Sequence, residues 1–404
     1  MDLPHRLPMI FILLTILLDG IGIGLILPVM PDLVREVEGG TLAEAAIWGG
    51  IMSTLFAVMQ FLFGPTVGSL SDRFGRRPVL LVSLGIMALD YLVMALAGTI
   101  WLLLLGRIVG GIAAATHSTA QAFVADLTPR AERGARFGHL TAAFGIGFVL
   151  GPLMGGILGD MGTRAPFYAA AALAAANFVL GLLVLPETVT DKTRRAFDWR
   201  RANPLGAFAA VARLPGLRAL IVVLFLNQLA FNVYPVIWAY FTQARFGWDS
   251  SMIGLSLAVY GLSLALVLGG LIRPVMARLG ERGTILLGFG FALMSFTVMA
   301  FVTSGWVALA LTPMASLGWL ATPAIQGLLS RRSPDDAQGE LQGLITSVNA
   351  LALILAPLVM TRVFFAFTRE GAGLYMPGAP FLASLLLCLL AMGLFLGGRH
   401  RYDA

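Results

Sequence analysis

Long apolar stretches recur along this chain, each closed by a short polar connection. They lie near 9–31, 46–69, 78–99, 101–124, 138–160, 165–185, 218–241, 251–274, 284–303, 306–330, 340–364 and 377–397. A helix that crosses the hydrocarbon core of a bilayer needs about 20 apolar residues. The pattern therefore predicts an all-α integral membrane protein of about twelve spanning helices. The sharpest interruption runs from Gly68 to Arg77 and holds Asp72, Arg73, Arg76 and Arg77. No charge precedes it back to Glu44, and none follows until Asp90. So short a connection predicts that the helices on either side are adjacent and antiparallel.

Charge alternates between successive connections. One side receives Arg6, Arg73, Arg76 and Arg77, then Arg130, Arg133 and Arg136, the 186–217 segment, Arg273, Arg278 and Arg282, Arg331 and Arg332, and Arg399 and Arg401. The other receives mainly Arg35, Arg164, Arg245 and Arg369. Connections rich in Lys and Arg stay in the cytoplasm, so both termini are expected there, as an even helix count requires. The longest non-apolar segment divides the chain into a six-helix bundle at 1–185, a cytoplasmic linker at 186–217 and a second six-helix bundle at 218–404. A weak repeat supports the division. Gly75 and Gly280 are 205 residues apart, and the same shift pairs Arg73 with Arg278 and Arg77 with Arg282. It also sets Asp72 against Ala277 and Arg76 against Glu281, so the second copy has lost its acid. Parallel halves related by an axis along the membrane normal are a transporter architecture.

Composition agrees. The 404 residues are 58% hydrophobic and 12% charged, with mean hydropathy +0.87. A soluble domain carries roughly 25% charged residues. The net charge of +6 comes from arginines beside apolar segments, which is topology signalling and excludes nucleic acid as the partner. The single cysteine, Cys388, lies in an apolar run and has no intrachain disulfide partner. The first apolar segment is too long for a signal-peptide core and contains Asp19, so it is expected to be a retained helix.

Three charges fall well inside predicted spans of the first half: Asp19, Asp90 and Arg107. Each costs roughly 2.5–3.5 kcal/mol at a helix centre, so each needs a partner or a wet cavity. One arginine cannot neutralise both aspartates. Either Arg107 forms a static ion pair with one of them, or its movement couples protonation to conformation. In the run Gly145 to Gly156, small residues at Gly147, Gly151 and Gly155 fall four apart on one helical face, suited to close helix packing. Pro152 within it favours a kink, and Gly156 follows. At the interruption, Gly68 and Gly75 let the backbone turn tightly or approach a neighbour. Asp72 can pair with Arg76. The second half has no charge clearly inside a span, but offers Asn227, Gln228, Asn232, Tyr234, Trp238, Trp319, Gln326 and Asn349. With Gln60, His117 and Gln121 of the first half, these amides and aromatics suit a cavity for a mostly apolar, ring-containing ligand, although amides in spans also bond simply from helix to helix. Neither a metal-ligand cluster, a nucleophile–base arrangement nor a nucleotide loop is visible, so no metal, cofactor or enzyme activity is expected.

The Gly68–Arg77 pattern resembles the loop between helices 2 and 3 of the major facilitator superfamily, where it helps latch the outward-open state. Gly151-Pro152-x-x-Gly155-Gly156 resembles the helix-5 motif of that superfamily's drug/proton antiporters. Leu17 to Pro28, Ser71 to Leu80, Leu89 to Leu92, Arg245 to Trp248, Pro323 to Ser330 and Gln338 to Gly343 are similar to the bacterial tetracycline/proton antiporters, over about residues 9–365. The resemblance implies export of a metal–tetracycline cation across the bacterial inner membrane in exchange for protons, by a fold that opens alternately around a midplane cavity, and a monomer is expected. It assigns function to residues matching Asp19, Asp90, Arg107, Asp72 and Arg76. The chain departs from the family where a histidine of helix 8 and an aspartate of helix 9 are replaced by Leu264 and about Ala292. Export of another drug, uptake of a metabolite, and a non-transporting receptor are the alternative readings.

Overall fold

The computed structural model describes residues 3–114, 116–129, 131–191, 194 and 215–398. Arg130, Arg399, Arg401, most of the expected 186–217 linker and the side chain of Arg6 lie outside the described residues. Every regular element described is helical. In chain order these are α1 (Leu3–Ile26), α2 (Met30–Glu38), α3 (Leu42–Phe74), α4 (Arg76–Leu96), α5 (Ile100–Ala113), α6 (Thr116–Leu127), α7 (Arg133–Met161) and α8 (Ala165–Val184). There follow α9 (Arg218–Phe231), α10 (Val233–Phe246), α11 (Ser250–Leu266), α12 (Ile272–Phe301), α13 (Gly305–Leu317), α14 (Ala321–Arg332), α15 (Gln338–Thr368) and α16 (Ala379–Gly397).

Among the described residues, eleven stretches, some built from two consecutive helices, are long and apolar enough to span a membrane. One of them, Ser250–Phe301, has 52 residues. At about 1.5 Å per residue it would reach roughly 78 Å, more than twice the roughly 30 Å hydrocarbon core. It turns at Gly280, where φ is 65° and ψ is 178°, and so holds two of the twelve expected spans. The chain is an all-α integral membrane protein.

Two expectations change. The first span stops at Ile26 rather than near residue 31, because Pro28 removes a backbone donor. The short helix α2 then begins with Pro31 in its first turn and buries Leu33 and Val34. The Gly68–Arg77 interruption is not a loop: α3 stays helical to Phe74, and Gly75 is the single break before α4. Nor do these two helices pack along one another, since α4 lies on α8, α5 and α6. A capping box opens α3, with Glu44 accepting the Thr41 N–H at 2.8 Å and Thr41 Oγ1 accepting the Glu44 N–H at 3.3 Å.

The described residues within Met1–Gly39, Leu55–Pro204 and Asp249–Ala258 form one compact unit, and those within Gly40–Thr54, Leu205–Trp248 and Val259–Ala404 another. Both α3 and α11 contribute to each, so the division departs from chain order. The first unit has a core of Phe11, Ile12, Ile16, Leu84, Phe123 and Leu140. In the second, Phe231, Phe289, Phe296, Phe364 and Phe381 are fully buried or nearly so.

The repeat is stronger in three dimensions than in sequence. The 205-residue shift relates the end of α1 at Ile26 to the end of α9 at Phe231, and the breaks at Gly75 and Gly280. It also relates exposed Trp101 to exposed Trp306, each the second residue of its helix, and in-helix Pro152 to Pro357. Exposed tryptophans at span ends suit the membrane interface. Arginines on the cation-poor side of the expected topology cap helix ends. Arg164 donates to the carbonyls of Ala95 and Ala97 at 2.7 and 2.8 Å, and to Glu36 at 2.8 Å. Arg245 donates to the carbonyl of Val302 at 2.9 Å, the position equivalent to Ala97. Orphan carbonyls at a helix C-terminus are satisfied by such cations.

Candidate functional site

Of the two aspartates inside spans, Asp90 is the one that takes Arg107. The two form an ion pair within the first unit, with the Asp90 side chain fully buried and that of Arg107 about one-tenth exposed. The sequence around Arg107 explains the fit. Gly106 and Gly110 flank it on α5, and a Cβ at either would stand 2.7 or 2.5 Å from an Asp90 carboxylate oxygen. Two glycines four apart thus cut a slot into α5 for the carboxylate. The guanidinium lies over the Phe56 ring, 5.2 Å from its centroid, a cation–π contact. Oδ1 of Asp90 and Nε of Arg107 keep no hydrogen-bond partner among the described residues.

Asp19 stands apart from this pair. It is half-buried on α1, with no hydrogen-bond or ion-pair partner among the described residues. A small cavity beside it is lined by Leu18, Gly22, Leu84, Tyr91 and Asn177. The lining is polar at Tyr91, whose hydroxyl would lie 2.6 Å from a Cβ at Gly22, and at Asn177, which bonds Thr15 at 3.2 Å. Adjacent residues of α4 therefore serve two sites: Asp90 faces Arg107, and Tyr91 faces the Asp19 cavity.

The face formed by Gly147, Gly151 and Gly155 meets α1. A Cβ at Gly151 would lie 2.6 Å from the Ile21 carbonyl, and those at Gly147 and Gly155 would overlap the carbonyls of Leu17 and Leu25. Gly20 and Gly24 interleave from the other side, against Phe144 and Pro152. Gly156 faces elsewhere: a Cβ there would lie 2.5 Å from the Ser250 carbonyl at the start of α11. Helix α7 runs through Pro152 as one element, Arg133–Met161.

At the Gly75 break, Arg76 bonds three neighbours. Its guanidinium reaches Asp72 at 2.5 Å, Asp126 at 3.2 Å and Ser71 at 2.5 Å. Glu187, just beyond α8, accepts the backbone N–H groups of Arg76 at 2.9 Å and Arg77 at 3.2 Å, and so caps α4. Arg77 donates to the Leu182 carbonyl at 2.8 Å, and Arg73 lies over Phe74. The sequence reading missed Asp126 and Glu187. A signal was available for Asp126, an acid in the last turn of α6, where the helix dipole disfavours it unless a cation answers. Gly75 has φ 112° and ψ 154°, and a Cβ there would strike the Glu187 carboxylate. A Cβ at Gly68 would meet nothing within 4 Å. Gly75→Ala is therefore expected to cost about 1–3 kcal/mol from backbone strain alone. Gly68→Ala, within helix α3, should instead gain roughly 0.8–1 kcal/mol of helix propensity; opposite Tm shifts of the two purified variants check the contrast.

In the second unit the expected cavity residues are engaged with one another. Asn227 is fully buried and donates to Thr322 at 3.0 Å. Thr322 donates to Gln228 at 3.3 Å, and Gln228 to Asn349 at 3.0 Å. Trp238 is buried among Tyr234, Phe241 and Phe381. Trp319 is half-buried and donates to the Tyr260 hydroxyl at 2.6 Å. The structure thus places Asn227 and Trp238 in a packed interior. Gln60 and Gln121 are exposed, with Gln60 donating to the Ala114 carbonyl at 3.2 Å. The side chain of His117 lies outside the described residues.

Residues 12–357 match the family model of the Major Facilitator Superfamily. The chain is 40% identical to the tetracycline resistance protein, class C, of Escherichia coli, over 95% of this chain and 96% of that protein. It is 38% identical to the class E protein of Escherichia coli, over 90% and 91%. Among solved structures it resembles the human organic anion transporter MFSD10 (TETRAN), with TM-score 0.70 and 26% identity, covering 97% of this chain and 100% of that one. Membrane helices, paired repeats and sequence similarity agree: the chain belongs to the Major Facilitator Superfamily and is an efflux transporter related to the tetracycline resistance proteins.

Proposed function

We propose that this chain exports tetracycline, as a complex with a divalent cation, across the bacterial inner membrane in exchange for protons. The observation that carries the reading is the unequal treatment of two acids in one unit: Asp90 is committed to Arg107, while Asp19 has no hydrogen-bond or ion-pair partner among the described residues and borders a cavity. Identity of 40% with a tetracycline resistance protein supports the substrate. The arginine distribution supports cytoplasmic termini.

In this mechanism the Asp90–Arg107 pair and Asp19 divide the coupling. A carboxyl with no counter-ion in a membrane bundle can exchange a proton with whichever side water reaches it from. Asp19 loads a proton from the outer side and delivers it to the cytoplasm as the conformations alternate. Arg107, held by Asp90, keeps the neighbouring charge fixed through the exchange. The Arg76 cluster is the gate: its bonds hold one conformation and break in the other. The protein works as a monomer.

The test uses inside-out vesicles carrying an imposed proton gradient. Adding tetracycline with Mg²⁺ should produce drug uptake and a matching proton movement. Asp19→Asn should keep drug binding and reduce coupled uptake to background. Drug uptake with no accompanying proton movement in the parent protein would overturn antiport. A second reading, export of a different drug, is favoured by the absence of the family's titratable pair: Leu264 is half-buried and Ala292 packs against Gly318. A susceptibility panel in an efflux-deficient bacterium separates the two, because protection against unrelated drugs without protection against tetracyclines selects the second.

A further inference from the structure

The shift of 205 residues that relates the two halves carries Arg76 to Glu281 and Asp126 to Arg331. Arg76 and Asp126 are an ion pair at 3.2 Å. Glu281 and Arg331 are an ion pair at 2.6 Å. The polarity is inverted and the connection kept. Each pair joins the residue after a glycine of positive φ, Gly75 or Gly280, to the last turn of α6 or α14. Seen one position at a time, the change from Arg76 to Glu281 reads as a lost cation. Seen with its partner, it is an exchange. Reversing either charge alone would have set like charges together, and only the joint reversal leaves an attraction.

The energetics of the two versions differ in an informative way. Arg331 sits at a helix C-terminus, where the dipole favours a cation, whereas Asp126 sits where it disfavours an acid. The first unit offsets this with further partners, Asp72 and Ser71 on Arg76 and Thr188 on Asp126 at 3.1 Å. The second unit needs fewer. The Glu281 side chain is 15% exposed against 68% for Arg331, and its carboxylate lies 3.3 Å from the Cβ position of Gly327 on α14. Glu281 is therefore the dependent member of the pair.

We propose that Glu281 and Arg331 are a second gate in mirror polarity, positioning residues that tie the helix beginning at Gly280 to α14 during the transport cycle. This rests on the efflux reading and on the gating role of Arg76. The experiment compares Glu281→Arg, Arg331→Glu and the double reversal in the full-length protein, beside Arg76→Glu, Asp126→Arg and their double. Each single change at 281 or 331 should lower the drug export rate roughly fivefold, the upper range for a partly exposed pair. Drug Kd should stay unchanged, and the double reversal should return the rate to near that of the parent. A purely structural pair would instead alter membrane level and Tm while leaving the rate per molecule intact.

Export unaffected by both single reversals, or a double variant no better than the singles, overturns the proposal. If a reversed variant fails to reach the membrane, the cycle Glu281→Gln, Arg331→Gln and double decides: non-additive export rates sustain the gate and additive ones reject it. Loss of export at 76 and 126 with no coupling at 281 and 331 rejects this inference alone. No effect at 76 and 126 rejects the gating role on which it rests.

Discussion

Arg107→Ala is expected to abolish efflux and to destabilise the protein by about 3–5 kcal/mol, the cost of leaving one member of a buried ion pair unpaired. The stranded group would be Asp90, whose side chain has no solvent exposure and lies against the backbone of α5 at Gly106 and Gly110. The slot is too tight to admit a substitute cation without moving α5. The double variant Asp90→Asn/Arg107→Gln removes both charges and should recover most of the stability, since neutral replacements of a buried pair are often tolerated. It should still fail to transport. The repeat supplies a natural control for this split. The 205-residue shift places Ser295 where Asp90 stands and Thr312 where Arg107 stands. Ser295 bonds the Tyr234 hydroxyl at 2.7 Å, and Thr312 bonds the Ala308 carbonyl at 2.8 Å. The same architecture is thus built in the second unit without an ion pair, so the pair in the first is not there to make the fold. Measuring Tm and vesicle uptake for the single and double variants separates the two roles. A double variant that transports normally would reduce the pair to packing.

Much of this arrangement is legible in the amino-acid sequence, and the limits have physical causes. Span length and charge alternation announce the helices, because a bilayer fixes how long an apolar run must be. The spacing of Gly147, Gly151 and Gly155 announces a close-packed face, because four residues return a helix to nearly the same side. The partner of Arg107 is not announced. Asp19 and Asp90 are equally apolar in their surroundings, and neither is within helical reach of Arg107 along the chain. Choosing between them requires knowing that α4 turns Asp90 toward the α5 glycines and Tyr91 toward α1. The amides of the second half were unreadable for a related reason. In a helix that is apolar on every side, no amphipathic stripe distinguishes an inward face from a packed one. Asn227 and Gln228 are neighbours in sequence, and both close an internal network with Thr322 and Asn349. Glu187 and Asp126 were missed because a charge beyond a span end reads first as topology, and their partners are 111 and 50 residues away.

Gly151→Leu is expected to have the second large effect, and Gly145→Ala, in the same motif, is expected to have the opposite sign. At Gly151 an added Cβ meets the Ile21 carbonyl and the Gly24 backbone at 2.6 and 2.8 Å. Both obstacles are main chain, and neither can rotate away. Relief requires α1 and α7 to separate along the whole interleaved seam of Gly20, Gly24, Gly147, Gly151 and Gly155. Overpacking a well-packed site usually costs about 1–3 kcal/mol where side chains can adjust; here they cannot, so the cost should exceed that range. Asp19 lies on α1 next to Gly20, so the same separation displaces it from the Tyr91 side of its cavity. Loss of membrane-inserted protein and loss of export should therefore appear together. Gly145 has nothing within 4 Å of its Cβ position, and it lies inside a helix. Alanine there should gain roughly 0.8–1 kcal/mol of helix propensity and raise Tm with export unchanged. The two variants differ by six positions along one helix. Opposite shifts in thermal unfolding would show that the motif acts through one face of α7; equal tolerance of both would remove the seam from the explanation of the fold.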